Sequence, residues 1–287
     1  VKDRIVQTAL KMVLEPIFEK EFLGNSYGFR PERNAKDALR EVDKTLKEGK
    51  TWVVDADLMN YFDTIPHDKL MNRIEEHIAD GEILKLIGKF LKQEIMDAMK
   101  IWRPSGGTPQ GAVLSPLLAN IYLHSLDRLL TDNNLMALRF ADDFVVLTEN
   151  EEEAQDALTL VEDWVRENEL ELNREKTRLG NCLIEGEGFE FLGYRFEAGK
   201  RRVRKKSLKK LRNKIREKTK RTRSGSMKEI IADLNRLLKG WFEYFKHAYK
   251  FIFKMLDGFV RRRLRAILRK RLKRPTMGWT LKDHMKW

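Results

Sequence analysis

A single cysteine, Cys182, in 287 residues excludes a disulfide framework and any cysteine-rich zinc site. No stretch approaches the roughly 20 consecutive apolar residues that span a bilayer. No cleavable leader opens the sequence either. Gly106-Gly107 is not followed by GK[ST], so a phosphate-cradling P-loop is a weak reading. No internal repeat or low-complexity tract stands out. An initiator Met is absent, and the start at Val1 reads as the start of a fragment. With 42% hydrophobic and 9% aromatic residues the chain can bury a full core, which excludes wholesale disorder. These features point to a reduced, cytoplasmic globular protein with no membrane partner.

What is abundant is charge, and it is unevenly placed. The chain carries 57 Lys+Arg and 44 Asp+Glu, a formal net of +13. From Arg201 to Trp287 there are 31 basic and 6 acidic residues, a net of +25. The first 200 residues hold 26 basic and 38 acidic residues, a net of −12. Such asymmetry is expected of a polyanion-binding module joined to something else. Length and composition together suggest two domains, 1–200 and 201–287.

Periodicity assigns the body to α+β and the basic end to helices. Ile5, Ala9, Met12, Val13 and Ile17 are spaced for a helix over 3–22, and Asn34 can cap another running to Glu48. Thr51–Leu58, TWVVDADL, alternates as a strand. Pro66 opens a helix through Ile78. A helix over 82–92, a strand near 94–102 and a loop over Pro104–Gly111 follow. Leu114–Leu130 reads as a buried helix, and Leu138–Leu147 as two strands around Ala141-Asp142-Asp143. Glu151–Glu169 is an amphipathic helix with an acidic start. Short strands near 170–179, 188–196 and 201–204 close the body. Helices over 207–221, 226–248 and 250–272 complete the chain.

Strand alternation places Asp55 and Asp57 on one face and Val54 and Ala56 on the other. Asp142 and Asp143, between two apolar runs, form a second acidic pair whose mutual repulsion asks for a cation. Carboxylates converging from two strands suit Mg²⁺, and two such ions about 4 Å apart would activate an attacking hydroxyl and stabilise a leaving oxygen. Pattern alone does not choose between that site and an ordinary Asp-Asp surface turn. Residue type alone also leaves Phe62 as a core aromatic, Lys176 as a solvated lysine, and His67 and His124 as packing residues.

SYGFRPERNAKDAL (Ser26–Leu39), VVDADLMNYFDTIPHDKL (Val53–Leu70), GGTPQGAVLSPLLANIYLHSLD (Gly106–Asp127), RFADDFVVL (Arg139–Leu147), LELNREKT (Leu170–Thr177) and FEFLGYRF (Phe189–Phe196) occur in order. Together they resemble the successive motifs of bacterial group II intron-encoded reverse transcriptases. LNRLLKGWFEYFK (Leu234–Lys246) resembles the thumb or maturase-specific segment of the same family. The resemblance implies a right-hand polymerase palm with partial fingers, an antiparallel sheet plus helices, followed by a basic α-helical thumb or maturase domain. It also implies a fingers segment preceding Val1.

Carried onto this sequence, the resemblance makes Asp57, Asp142 and Asp143 the catalytic and metal-binding acids, holding two Mg²⁺ ions that Mn²⁺ can replace. Phe62 would be the aromatic gate against a ribonucleotide 2′-OH, and Gln110 and Gly111 would lie by the incoming nucleotide. Lys176 would be the general acid for pyrophosphate. FADD stands where YADD is more usual. Arg30 would be structural or face the template. Asp55 would be a neighbour that tunes the site.

For the basic end, Arg201, Arg202, Arg204, Lys205, Arg262, Arg265 and Arg269 are candidate phosphate contacts, with affinity that falls steeply with salt. Most of Trp241, Phe242, Tyr244, Phe245 and Tyr249 should be core, since together they encircle a helix. The implied activity is RNA-directed DNA synthesis from dNTPs on a DNA or RNA primer, with intron RNA bound to assist splicing and mobility. The expected setting is a bacterial ribonucleoprotein near the nucleoid, with a homodimer allowed. The alternatives are a non-catalytic splicing factor and a domesticated or defence-associated relative.

Overall fold

The computed structural model describes residues 2–92, 95–97, 100–102, 106–109 and 111–272. The end of the basic tail, beyond Leu272, lies outside the described residues. The chain divides into two units, Val1–Leu192 and Gly193–Trp287.

In the first unit, α1 (Lys2–Phe18) and α2 (Ala35–Lys47) precede the first strand, β1 (Trp52–Asp57). Helix α2 begins where expected, because the Asn34 side chain accepts from Lys36 N and the Asp37 carboxylate reaches back to Asn34 N. A short helix, α3 (Tyr61–Thr64), is followed by α4 (His67–Glu75), which starts at Pro66, and by α5 (Gly81–Leu91). The strand expected near 94–102 is instead a pair, β2 (Ile95–Asp97) and β3 (Lys100–Trp102), in antiparallel register.

Helix α6 (Ser115–Asp132) is buried on nearly all sides, as its apolar sequence requires. Strands β4 (Met136–Phe140) and β5 (Asp143–Thr148) form the expected hairpin, and α7 (Glu151–Glu167) starts on Asn150 as cap. Strand β6 (Arg178–Asn181) and strand β7 (Phe189–Phe191) complete this unit.

One antiparallel sheet, in the order β4-β5-β1-β6, organises the unit. Val54 and Ala56 of β1 pair with Val146 and Phe144 of β5, and all four join the buried cluster that includes Leu118, Tyr122 and Leu126 of α6 and Val161 of α7. The opposite face of β1 carries Val53, Asp55 and Asp57. The sheet therefore turns its helical core to one side and its acids to the other.

Two strand expectations shorten. Residues 170–177 make one bridge, Leu172 to Leu58, and then turn, with Lys176 N and Thr177 N both donating to the Asn173 carbonyl. The 188–196 run breaks because Leu192 and Gly193 take positive φ, 48° and 82°.

In the second unit, β8 (Tyr194–Glu197) and β9 (Lys200–Val203) form a hairpin ahead of α8 (Lys205–Lys218), α9 (Met227–Phe245) and α10 (Phe251–Arg271). The unit begins some eight residues before the change in composition near residue 201. Tyr194 explains why: its hydroxyl donates to Tyr244 O at 2.5 Å, and its ring lies 5.0 Å from Phe245. Leu211, Ile215, Leu234 and Leu256 form the helical core. Phe245 is buried and Trp241 and Tyr244 are half-buried, as encirclement of α9 implies, whereas Phe242 and Tyr249 stay 46% and 52% exposed. Among the described residues no helix is long and apolar enough to cross a membrane.

Asn34→Ala should lower the unfolding free energy by about 1 kcal/mol through loss of the α2 cap; urea unfolding of the two proteins checks it.

Candidate active site

Antiparallel register brings the first two acids together. Asp57, the last residue of β1, is the direct partner of Asp143, the first of β5. Residues directly opposite across such a pair project on the same face, about 5 Å apart at Cβ. Asp142 occupies the turn between β4 and β5, one residue after Ala141, whose φ is +62°. Burial pushes the Asp142 carboxyl above the ordinary value, and the charge of Asp57 pushes it further in the same direction. The three acids that the sequence singled out therefore meet at the open end of one strand pair.

The turn is held from below by a buried cation. Arg139 is 1% exposed, and its Nε and Nη2 donate to the Asp127 carboxylate at 2.7 and 2.5 Å. Its Nη1 donates to Asn120 Oδ1 at 2.8 Å and to the Ala141 carbonyl at 3.0 Å. Burial alone would depress the guanidinium, and Asp127 beside it more than offsets that effect, so its pKa is raised. The Asn120 amide nitrogen in turn donates to Gly28 O at 2.8 Å. Residues 25–27 run alongside β4, with Arg139 N donating to Asn25 O and Tyr27 N to Arg139 O. A Cβ on Gly28 would stand 2.2 Å from Ala141 N, so only glycine lets the strap pass this close to the turn.

These supporting residues escaped the reading by residue type. The available signal was an Arg immediately before FADD and an Asn and Asp on the polar stripe of an otherwise apolar helix. Charged residues at such positions are buried only when paired.

Lys176 reaches the site through backbone pairing. Asn173 N donates to Asp57 O at 2.8 Å, which anchors the turn that follows against the end of β1. Lys176 Nζ then lies 2.9 Å from Asp57 Oδ2, with the lysine 64% and the aspartate 41% exposed. Asp55 sits further back on the same face, where Glu190 N donates to its Oδ2 at 3.4 Å. Leu192 N donates to Asp143 Oδ2 at 3.5 Å, so alternate amides of the β7 segment serve both acids. Burial, chiefly, raises the Asp55 carboxyl to about 6.

The remaining expected residues divide. Phe62 is half-buried beside Tyr61 and Phe29, at ring distances of 5.5 and 6.4 Å. Its carbonyl accepts from Thr108 N at 2.6 Å, Gly107 N donates to Ile65 O at 2.7 Å, and His67 Nε2 pairs with Gly107 O at 2.7 Å. The glycine loop is thereby clamped to the turn that carries Phe62. His67 is a buried clamp rather than a ligand. Gly111 is exposed with φ +81°, and Gln110 lies outside the described residues.

Arg30 is corrected from a nucleic-acid contact to an internal brace. Its side chain is 3% exposed. Its donors go to Glu19 and to the carbonyls of Phe22, Leu23 and Ser26, at 2.5–3.2 Å, which leaves no donor for phosphate.

In the basic unit, Arg201 stacks over Tyr194 at 3.9 Å, and Arg202 pairs with Glu197 at 3.3 Å. Arg204 precedes α8, where its N donates to Gly193 O, and Lys205 is exposed. On α10 Arg262 is exposed, while Arg265 and Arg269 are half-buried. Arg263 and Arg271 bond to backbone carbonyls: half-buried Arg263 donates to Thr219 O at 2.8 Å and exposed Arg271 to Gly225 O at 2.7 Å.

The donor set of Asp57, Asp142 and Asp143 is that of a hard divalent cation. Among the described residues, no three His, Cys, Asp or Glu side chains already stand in ligating geometry. Lys176 supplies the positive charge at Asp57, on an exposed arm free to leave it. By donor chemistry, then, the carboxylates fit a metal that displaces that arm.

Comparison with known proteins agrees with this geometry. Residues 1–196 match the family described as reverse transcriptase (RNA-dependent DNA polymerase). The chain belongs to the reverse transcriptase family. Residues 208–287 match the group II intron maturase-specific domain, which places this reverse transcriptase in the group II intron branch.

Protein YkfC of Escherichia coli K12 is 34% identical over 234 residues, covering 68% of this chain and 61% of YkfC. The group II intron-encoded protein LtrA of Lactococcus lactis is 41% identical over 126 residues, 44% of this chain and 21% of LtrA. The chain thus spans less than two thirds of the length of these relatives. Telomerase from Candida albicans, solved with a fragment of telomeric RNA, shares the fold at TM-score 0.54 and 14% identity, covering 91% of this chain and 50% of the telomerase.

Two outcomes follow for this member of the reverse transcriptase family. Arg139→Ala strands Asp127 in the core and should cost about 3–5 kcal/mol in urea unfolding. The Asp55 carboxyl holds its proton more tightly folded, near 6, than unfolded, near 3.8. Its penalty is absent below the unfolded value, grows as pH rises between the two, and is complete above the folded value. Asp55→Asn should therefore stabilise the protein by roughly 1–3 kcal/mol at pH 8 and by far less at pH 4, measured by thermal unfolding at both.

Proposed function

We propose that the chain is an RNA-directed DNA polymerase of the group II intron type, extending a DNA or RNA primer with dNTPs on an RNA template. The observation that carries this reading is the pairing of Asp57 with Asp143 beside the Asp142 turn, braced by Arg139. Those three acids would hold Mg²⁺, or Mn²⁺ in its place. Bound there, such ions activate the primer hydroxyl and stabilise the leaving oxygen in phosphoryl transfer.

The protein's own part is positioning. Phe62, fixed by the clamp between its turn and the glycine loop, would meet the sugar of the incoming nucleotide and exclude a 2′-hydroxyl. Gly111, with Gln110 before it in sequence, would border the incoming nucleotide. Lys176, once released from Asp57, is a proton source for departing pyrophosphate. Buried, pre-paired groups cost no reorganisation during the reaction, which is how fixed geometry lowers a barrier.

A second role, holding intron RNA to assist splicing, is favoured by the maturase-specific match over 208–287. The exposed cations of that unit, Lys205 and Arg262 among them, supply phosphate contacts for it.

Asp142→Ala should abolish primer extension on an RNA template in Mg²⁺ while leaving RNA affinity unchanged. Extension and filter binding on the same preparation check both halves, and wild-type synthesis by this variant overturns the polymerase reading.

A further inference from the structure

The second unit carries a groove that the polymerase reading does not use. It lies between α9 and α10, encloses about 620 Å³, and has Trp241, Phe242, Phe253, Leu256 and Val260 along its apolar floor. Phe242 and Phe253 meet edge to face at 5.3 Å, yet Phe242 is 46% exposed, so part of a flat ring remains open to solvent. Arg236, Lys239 and Lys254 stand at the rim. The single acid there, Asp257, is engaged by Arg261 at 3.2 Å. Arg236 is held by Asp233 at 2.6 Å; of the cations lining the groove, Lys239 and Lys254 are the two that no ion pair among the described residues engages.

We propose that this groove binds an unpaired nucleotide of RNA, its base on the Phe242 ring and its phosphate between Lys239 and Lys254. The inference rests on the RNA-binding part of the proposed function and not on polymerase activity. Three observations select this occupant over a helix of a protein partner. The volume is that of a small-molecule site, 300–1,000 Å³ as a rough range. An exposed aromatic face flanked by lysines is the combination that single strands use, because every base has a π-face and every nucleotide an anion. The chain from Arg201 onward carries a net +25, which favours an anionic partner over a neutral one. A duplex keeps its bases stacked and cannot offer one to the ring, so the site discriminates single from double strands.

The test uses the whole chain, a fluorescein-labelled oligouridine of about ten nucleotides, and a blunt RNA duplex of the same length. Phe242→Ala should weaken oligouridine binding roughly tenfold and leave duplex binding and the thermal unfolding midpoint unchanged. Phe242→Tyr, which keeps a stacking face, should restore the affinity. Lys239→Gln with Lys254→Gln should reduce the slope of log affinity against log salt by about 0.7, the release expected for the one phosphate that the two lysines share on a single strand.

Equal affinity in Phe242→Ala, or equal losses on both probes, overturns the proposal while the RNA-binding reading stands. A Phe242→Ala variant that dissociates a dimer in sedimentation but binds oligouridine as before overturns it too, and assigns the groove to a second copy. If the unaltered chain binds neither probe, the RNA-binding reading falls, and the proposal with it.

Discussion

The arrangement of the acids depends on one ion pair, Arg139 with Asp127, closed off from solvent beneath the hairpin that ends in Asp142. Two charges in a protein interior cost several kcal/mol each to desolvate, and such a pair persists only if its remaining donors are satisfied. Here each is. The guanidinium spends two nitrogens on Asp127 and the third on Asn120 and Ala141 O. That last bond converts burial into geometry, because it fixes the peptide just before Asp142, the first acid of the turn. Asn120 relays the constraint to Gly28, so α6, β4 and the strap over residues 25–28 are set by one network. The carboxylates above it are held in place before any ligand arrives.

Much of this was legible in the sequence, for physical reasons. Period-two alternation in TWVVDADL set Asp55 and Asp57 on the face opposite Val54 and Ala56, and two apolar runs around Ala141-Asp142-Asp143 marked a hairpin, while the pairing of the two segments was not in the pattern. Asn34, Pro66 and the acidic start at Glu151 marked helix starts because orphan amides at helix N-termini select those residues. What the sequence hid were facts of pairing. Arg30 was open to a structural or a template-facing role because an arginine carries no mark of the carboxylate that will bury it, here Glu19, eleven residues away. The 188–196 run looked continuous because Leu192, a residue ordinarily at negative φ, takes 48°. Lys176 is tied to Asp57 by a bond across 119 residues, a separation no local pattern reveals.

The opposite charges of the two ends also separate two kinds of recognition. In the first unit a few of the many acids are fixed in place, and Lys176 and backbone amides of the β7 segment pair with Asp57, Asp55 and Asp143. In the second unit cations are many, and several, such as Arg263 and Arg271, serve the fold rather than a ligand. Counting charges therefore overstates the surface available to RNA, and the fixed acids say more about chemistry than their number does.

Gly28 shows how narrow such a design is at the level of heredity. Every missense change of a glycine codon adds at least a Cβ, and at this position any Cβ meets the backbone of Ala141. The codon for a residue that bears no charge is thus closed to every missense change that would leave the strap where it is. A genetic map of inactivating lesions would mark the strap as part of the active centre.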